Sequence, residues 1–90
     1  MTGRVHVRSV RDMAEPQWDP KRPRWQQIAD VIRQRIQDGT YPPDTLISES
    51  RIQGEWGVAK MTARKAVAAL RAEGLLVTTP GMGSFVKGDG

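Results

Sequence analysis

The residues of this sequence with the clearest chemical potential are five cations that lie toward its C-terminal end. Between residues 58 and 87 they are opposed by one acid, Glu73, and they are Lys60, Arg64, Lys65, Arg71 and Lys87. Five cations and one acid give this segment a charge of +4, which equals the net charge of the whole chain. Charge concentrated in this way is typical of a surface that neutralises nucleic-acid phosphates. An ordinary solvated face is the alternative that charge alone leaves open.

Other kinds of chemistry have few candidate residues. The chain has no cysteine and a single histidine, His6, so the sequence excludes disulfides and thiolate catalysis and predicts no metal site. We expect His6 to be a solvated side chain. Five acids are scattered at predicted helix ends and turns, where caps and helix dipoles account for them: Asp38, Asp44, Glu49, Glu55 and Glu73. No nucleophile stands beside a base, so we expect neither an enzyme nor a cofactor-binding protein.

Length and composition predict one small domain. The chain has 90 residues, of which 38% are apolar and 27% are charged, and single domains usually span roughly 50 to 250 residues. No apolar run approaches the roughly 20 residues of a membrane-spanning helix. Residues 1–10 lack the apolar stretch of a secretory signal. We therefore expect no membrane partner and a cytoplasmic, nucleoid-associated location.

The positions of proline and of charged residues divide the chain into three segments. Residues 1–22 are interrupted by Pro16 and Pro20 and are expected to form an extended or disordered arm. Within the arm, Val5 and Val7 alternate with polar residues, a period that permits a short strand. The folded domain is predicted over residues 23–87, and residues 88–90 form a tail.

Three helices are expected in the domain. The first runs from Pro23 to Asp38 on an apolar stripe with helical spacing, and the second runs from a Ser48 cap to Trp56. Gly57 separates it from a third helix over residues 59–73. A core is expected around four large side chains: Trp25, Trp56, Leu70 and Phe85.

Two short strands complete the prediction. Residues 75–79 and 84–87 have strand character, and the residues between them, Pro80 to Gly83, form a tight turn. The fold class is therefore mainly α with a small β-hairpin (α+β), and two helices joined by a Gly-containing turn followed by a hairpin indicate a winged helix-turn-helix. Three helices and a two-stranded wing account for the whole domain.

The third helix is the candidate reading element of this fold. Ala63, Ala66, Val67 and Leu70 gather on one face, which leaves the other face to Lys60, Met61, Arg64 and Lys65. The first two turns of such a helix enter the major groove of duplex DNA, where the fork of Arg64 can donate two bonds to guanine. At the wing tip, Gly81 and Gly83 let the backbone approach a phosphate or the minor groove, while Met82 contacts a sugar or covers the hairpin.

The order of these motifs resembles the DNA-binding domain of the GntR family of bacterial regulators over residues 23–87. The segment from Ile36 to Asp44 is similar to the family's turn, and Leu46 to Glu49 stand where the family has Leu-Pro-Ser-Glu. Residues 57–66 resemble its Gly-Val-Ser-Arg-x-Thr-Val-Arg-x-Ala stretch, and residues 80–86 resemble its wing. The exposed helix face, the wing tip and the resemblance together predict DNA contacts from Ser48, Ser50, Arg51, Lys60, Met61, Thr62, Arg64, Lys65, Gly81, Met82 and Gly83.

Several of these positions depart from the family pattern. Ser50 replaces the arginine that follows the glutamate, and Arg51 beside it is a candidate substitute. Ala59 replaces the serine cap of the reading helix, at a cost of about 1 kcal/mol. Lys65 replaces a common acid and adds charge. The departures suggest an operator that differs from the family's usual one, or a weaker dependence on base contacts.

The resemblance implies a sequence-specific transcription regulator, in particular a repressor, that binds double-stranded DNA as a homodimer on two half-sites. The chain stops at Gly90, so no small-molecule effector domain is expected within it. An architectural, excisionase-like DNA-binding factor and a winged protein-interaction module remain alternatives.

Overall fold

The helices of the computed structural model, which describes residues 18–88, follow the predicted order. The first, α1, spans Arg24–Gln37 and buries Ile28, Ala29 and Ile32. Pro23 is its cap and has an extended backbone, so α1 begins one residue later than predicted. Gly39, with a φ of 86°, turns the chain away at its end. His6 lies outside the described residues, as do Val5 and Val7, whose alternation permits a short strand.

The next two helices are joined by a short turn. Helix α2 spans Glu49–Trp56, and Ser48 caps it as predicted, because its Oγ accepts a 3.0 Å hydrogen bond from the Arg51 backbone N–H. Gly57 takes a left-handed conformation, with φ 64° and ψ 37°, that ends α2. Helix α3 spans Lys60–Ala72. The predicted helix-turn-helix is therefore present.

The hairpin consists of strands β1 (Leu76–Thr79) and β2 (Gly83–Val86), which pair antiparallel with Leu76 opposite Val86. The edge of β2 that faces away from β1 is also paired, and the sequence did not predict this pairing. Leu46 bridges to Phe85, and the Ile47 N–H donates to the Ser84 carbonyl at 2.8 Å. The segment before α2 thus lies beside β2 and ties the wing to the helix-turn-helix.

The core consists mainly of branched aliphatic side chains. The largest fully buried residues are Ile28, Ile32, Ile47, Ile52 and Leu70. The predicted core was wrong for Trp25, Trp56 and Phe85, which are only partly buried at its margin. On β2, Ser84 and Val86 face inward, so the two-residue period of a strand turns Phe85 toward the outer face.

A cluster of aromatic and charged side chains connects α1 to α2. The Arg35 guanidinium lies 5.5 Å from the centre of the Tyr41 ring and 5.2 Å from that of Trp56. Its Nη2 also forms a 2.7 Å ion pair with Glu55. The hydrogen bond to Glu55 raises the pKa of Arg35 above its already high ordinary value. Trp56 therefore serves as a stacking partner at the margin of the core.

Candidate nucleic-acid interface

Helix α3 has one buried face and one exposed cationic face. Ala63, Ala66, Val67 and Leu70 are buried, and α1, α2 and β1 pack against α3. On the other side, Lys60, Met61, Arg64 and Lys65 are all exposed. The Arg64 side chain is 55% exposed and Met61 is 57% exposed. The helix is thus fixed to the domain while its cationic residues stay accessible to a ligand.

A groove separates the start of α2, the start of α3 and the wing. It has a volume of about 350 Å³, and its polar lining consists of Ser48, Glu49, Ser50, Gln53, Lys60, Gly83 and Ser84. Four of the predicted contact residues, Ser48, Ser50, Lys60 and Gly83, therefore meet around one groove. Arg64 is linked to this groove through Glu49, whose Oε2 lies 3.5 Å from the Arg64 Nε.

Arg51 lies elsewhere on α2. Its guanidinium is 4.8 Å from the centre of the Tyr41 ring, and its Nη1 donates a 3.0 Å hydrogen bond to the Leu46 carbonyl. It is not among the residues that line the groove. Arg51 therefore supports the turn before α2, and its role as a substitute for the arginine missing at position 50 stays a prediction.

The wing tip is tight and open to solvent. The Met82 N–H donates to the Thr79 carbonyl at 3.0 Å, and the Met82 side chain is 66% exposed. Gly81 and Gly83 have φ values of 77° and 116°, which only glycine adopts readily. The tip thus presents backbone and one flexible apolar side chain.

The start of α3 lacks a side-chain cap. Ala59 takes the extended cap conformation and its carbonyl accepts from the Ala63 N–H at 3.1 Å, but it has no side-chain oxygen to offer. The neighbouring Thr62 is half-buried. The first backbone N–H groups of α3 are consequently available to solvent or to a ligand.

The remaining charges of the cationic segment lie away from the groove. Glu73, at the far end of α3, forms 2.7 and 2.6 Å hydrogen bonds with Arg33, which lower the pKa of its carboxyl. Arg71 donates to Thr78 at 3.2 Å. Lys87 lies at the base of the wing, where its backbone N–H donates to the Leu75 carbonyl at 3.0 Å and the residue is exposed.

Two groove residues were not assigned to the site from the sequence. Glu49 was interpreted only as a favourable charge at a helix start, and Gln53 was not singled out. Their spacing contained the signal, because positions 49 and 53 are four residues apart and share one face of a helix. That this face meets Lys60 and Gly83 depends on the angle between elements, which the spacing does not give.

No helix within residues 18–88 is long and apolar enough to cross a bilayer. Within the same range, no three potential metal-ligating side chains come together.

Over most of its length, the chain is similar in sequence to known bacterial proteins. Residues 24–86 match the model of the bacterial regulatory proteins of the gntR family. The mannosyl-D-glycerate transport/metabolism system repressor MngR of Escherichia coli (strain K12) is 40% identical over 67 residues, covering 73% of this chain and 28% of the relative. The histidine utilization repressor of Pseudomonas putida is 38% identical over 65 residues, covering 71% and 26%. The chain thus spans about a quarter of these curated relatives.

Solved structures share the architecture. AraR(DBD) in complex with operator ORX1 superposes with a TM-score of 0.66 at 35% identity, over 71% of this chain and 78% of that one. YtrA from Sulfolobus acidocaldarius, a GntR-family transcription factor, gives a TM-score of 0.73 at 29% identity, over 88% and 84%. The three helices and the hairpin are therefore those of a winged-helix DNA-binding domain.

Proposed function

Because this chain belongs to the gntR family of bacterial regulatory proteins, we propose that it binds the operator of a set of bacterial genes and represses their transcription. Its relatives are transcription regulators, and MngR and the histidine utilization protein are named repressors. The observation that carries the proposal is the exposed start of α3, where Lys60 and Arg64 project from a helix whose opposite face is fully buried.

The dimensions of α3 suit the major groove of DNA. A helix with side chains is about 10–12 Å wide, and the groove is about 12 Å wide. In this arrangement Arg64 reads a base edge through its two terminal nitrogens, and Lys60 contributes a point charge. Met61 and Thr62 lie next to them, and Lys65 neutralises a phosphate.

The surrounding elements fix the helix on the duplex. Ser48 and Ser50 supply hydroxyls at the start of α2, and the wing tip of Gly81, Met82 and Gly83 approaches the backbone or the minor groove. Arg51 has a supporting role in this proposal, because it holds the Leu46 carbonyl and stacks on Tyr41. Only Nη1 of Arg51 is used in the bond to Leu46, so its other guanidinium nitrogens can donate to a phosphate while both contacts are kept.

One winged domain covers a short site, so the proposal includes a second copy of the chain. Two copies on half-sites about one helical turn apart give the specificity that an operator needs. AraR(DBD) is described in complex with operators ORX1 and ORE1, which supports operator binding by domains of this kind. The cytoplasm, at the nucleoid, is the proposed location.

Selection from a random duplex pool tests the proposal directly. The full 90-residue chain should enrich a two-fold symmetric sequence, and a footprint on that sequence should cover two half-sites. Protection of several tandem sites with bending would indicate the architectural alternative. An absence of duplex binding at low salt, where phosphate contacts are strongest, would leave only a protein-interaction module.

Arg64→Ala should distinguish base reading from phosphate binding. We expect affinity for the selected duplex to fall by about 5- to 150-fold, since a bidentate contact contributes roughly 1–3 kcal/mol of discrimination. Affinity for a scrambled duplex should change much less.

Lys65→Ala is the matched control, because it should weaken both duplexes alike and reduce the salt slope by about 1. Lys87→Ala, at the base of the wing, should likewise weaken both duplexes alike and flatten the salt dependence. Equal losses on both duplexes for Arg64→Ala would contradict base reading.

A further inference from the structure

The groove contains a negative charge that a phosphate-binding surface would not need. Among the described residues that line it, Glu49 is the only acid, and Lys60 is the only cation. Its side chain is 32% exposed, so its carboxylate is partly desolvated and its charge is less screened than that of a free surface acid. An acid at this place lowers the attraction of the groove for any phosphate.

The same carboxylate is the ion-pair partner of Arg64. Its Oε2 lies 3.5 Å from the Arg64 Nε, too far for a close hydrogen bond but near enough to hold the guanidinium by charge. The contact is made at the inner nitrogen. Among residues 18–88, no side chain forms an ion pair with the two terminal nitrogens of Arg64, and these are the atoms that a bidentate contact to guanine uses.

We propose that Glu49 is a positioning residue that sets the DNA specificity of this chain. It aims Arg64 at a base edge, and it disfavours complexes that depend on phosphate contacts alone. Both effects come from one charge, and both raise the ratio of specific to nonspecific affinity. The inference rests on the proposed function and deepens it by assigning a specificity role to a residue outside α3.

A purely structural role for Glu49 predicts a different result. An acid in the first turn of a helix interacts favourably with the helix dipole, so its removal would lower the stability of α2. That loss would affect binding to every duplex in the same direction. A specificity role changes the two affinities in opposite directions, or by clearly different factors, and this separates the two explanations.

The experiment compares Glu49→Gln with wild type on two probes: the duplex selected by the wild-type chain and a scrambled duplex of the same length and composition. Affinity for the scrambled duplex should rise by roughly 3- to 10-fold at low salt, with a steeper salt slope. The specificity ratio should fall by about tenfold. Glu49→Asp keeps the charge but shortens the side chain, so it should leave affinity for the scrambled duplex near the wild-type value while still lowering the ratio.

Glu73→Gln is the matched control, because it removes the same charge from the far end of α3, where Glu73 pairs with Arg33. It should leave the specificity ratio unchanged, and thermal unfolding of each variant checks that the fold is intact. In an Arg64→Ala background, Glu49→Gln should lower the ratio by a smaller factor, because only its effect on phosphate binding then remains. A ratio that is the same in Glu49→Gln and Glu73→Gln, or an undiminished effect without Arg64, overturns the inference and leaves the proposed function standing. A wild-type chain that prefers no duplex instead overturns the proposed function.

Discussion

Ala59 precedes α3 in the cap conformation but contributes only a methyl group, so the reading helix begins without a side-chain acceptor. Ala59→Ser should raise the free energy of unfolding by about 1 kcal/mol, because a hydroxyl there can accept from an N–H of the first turn. The Ala59 site is exposed, so the hydroxyl meets no steric obstacle. Urea denaturation provides the measurement.

Ala72→Ser is the matched control for this change, since it adds the same atom at the other end of α3, inside the helix. It should lower stability slightly, because serine is a poorer helix former than alanine. If both variants have the same effect, the missing cap is not what limits α3.

At the scale of single residues, the sequence predicted local features better than distant ones. Ser48 as a cap and Gly57 as a left-handed stop were both predicted, and each depends on atoms within a few positions of the chain. The pairing of Glu49 with Arg64 joins two helices across a turn and was not predicted. A side chain can be assigned a partner from one sequence only when that partner is a near neighbour.

At the scale of elements, apolar periodicity was sufficient for the helices, and α1 and α3 are within one residue of the predicted ends. The winged fold and the family were likewise confirmed. The pairing of residues 45–47 with β2 was missed, because it joins parts of the chain nearly 40 residues apart. The prediction that aromatic residues form the core was also wrong. The size of a side chain does not show which face of a strand or helix packs against the rest of the domain.

Gly83 is the position where the wing depends most on glycine. Its φ of 116° lies outside the left-handed region that other residues visit, and an added Cβ would stand 3.0 Å from the Leu46 Cδ1. Leu46 is 42% exposed and can move aside, so the backbone accounts for most of the cost. Gly83→Ala should lower the free energy of unfolding by roughly 1–3 kcal/mol.

Gly81→Ala is the comparison for the wing, because its φ of 77° is nearer the left-handed region and an added Cβ meets nothing within 4 Å. It should cost less than Gly83→Ala in the same urea titration. Equal costs would mean that the wing relaxes around Gly83 and does not hold its backbone.

At the scale of the whole molecule, a chain of ion pairs joins the segment before α1 to the end of α3. Arg22 pairs with Asp30 at 2.6 Å, Asp30 with Arg33 at 2.8 Å, and Arg33 with Glu73 at 2.6 Å. It lies at the end of α3 opposite the groove. These ion pairs therefore link α1 to the end of α3 without adding net charge to the DNA-binding surface.

This chain of ion pairs should make the stability of the molecule depend on pH. Hydrogen bonds from Arg22 and then Arg33 lower the pKa of Asp30, and the hydrogen bond from Arg33 lowers that of Glu73. A carboxyl with a lowered pKa in the folded state stabilises fully above its ordinary value, here 3.8 and 4.5, and loses that contribution as the pH falls through the folded value. Stability should therefore decline progressively below about pH 5. Because these side chains are about 40% exposed, salt should weaken the effect.

Arg33→Gln removes the shared partner and should flatten the decline, most clearly at low salt, when urea unfolding is followed from pH 7 to pH 3. Asp30 keeps Arg22, so part of the dependence should remain. Arg24→Gln is the control, because Arg24 stacks over Trp18 at 5.3 Å and forms none of the three ion pairs. Its pH profile should run parallel to that of the wild type. Parallel profiles for wild type and Arg33→Gln would show that the acid sensitivity arises elsewhere, because Arg33 lowers the pKa of both carboxyls and its removal must reduce their contribution.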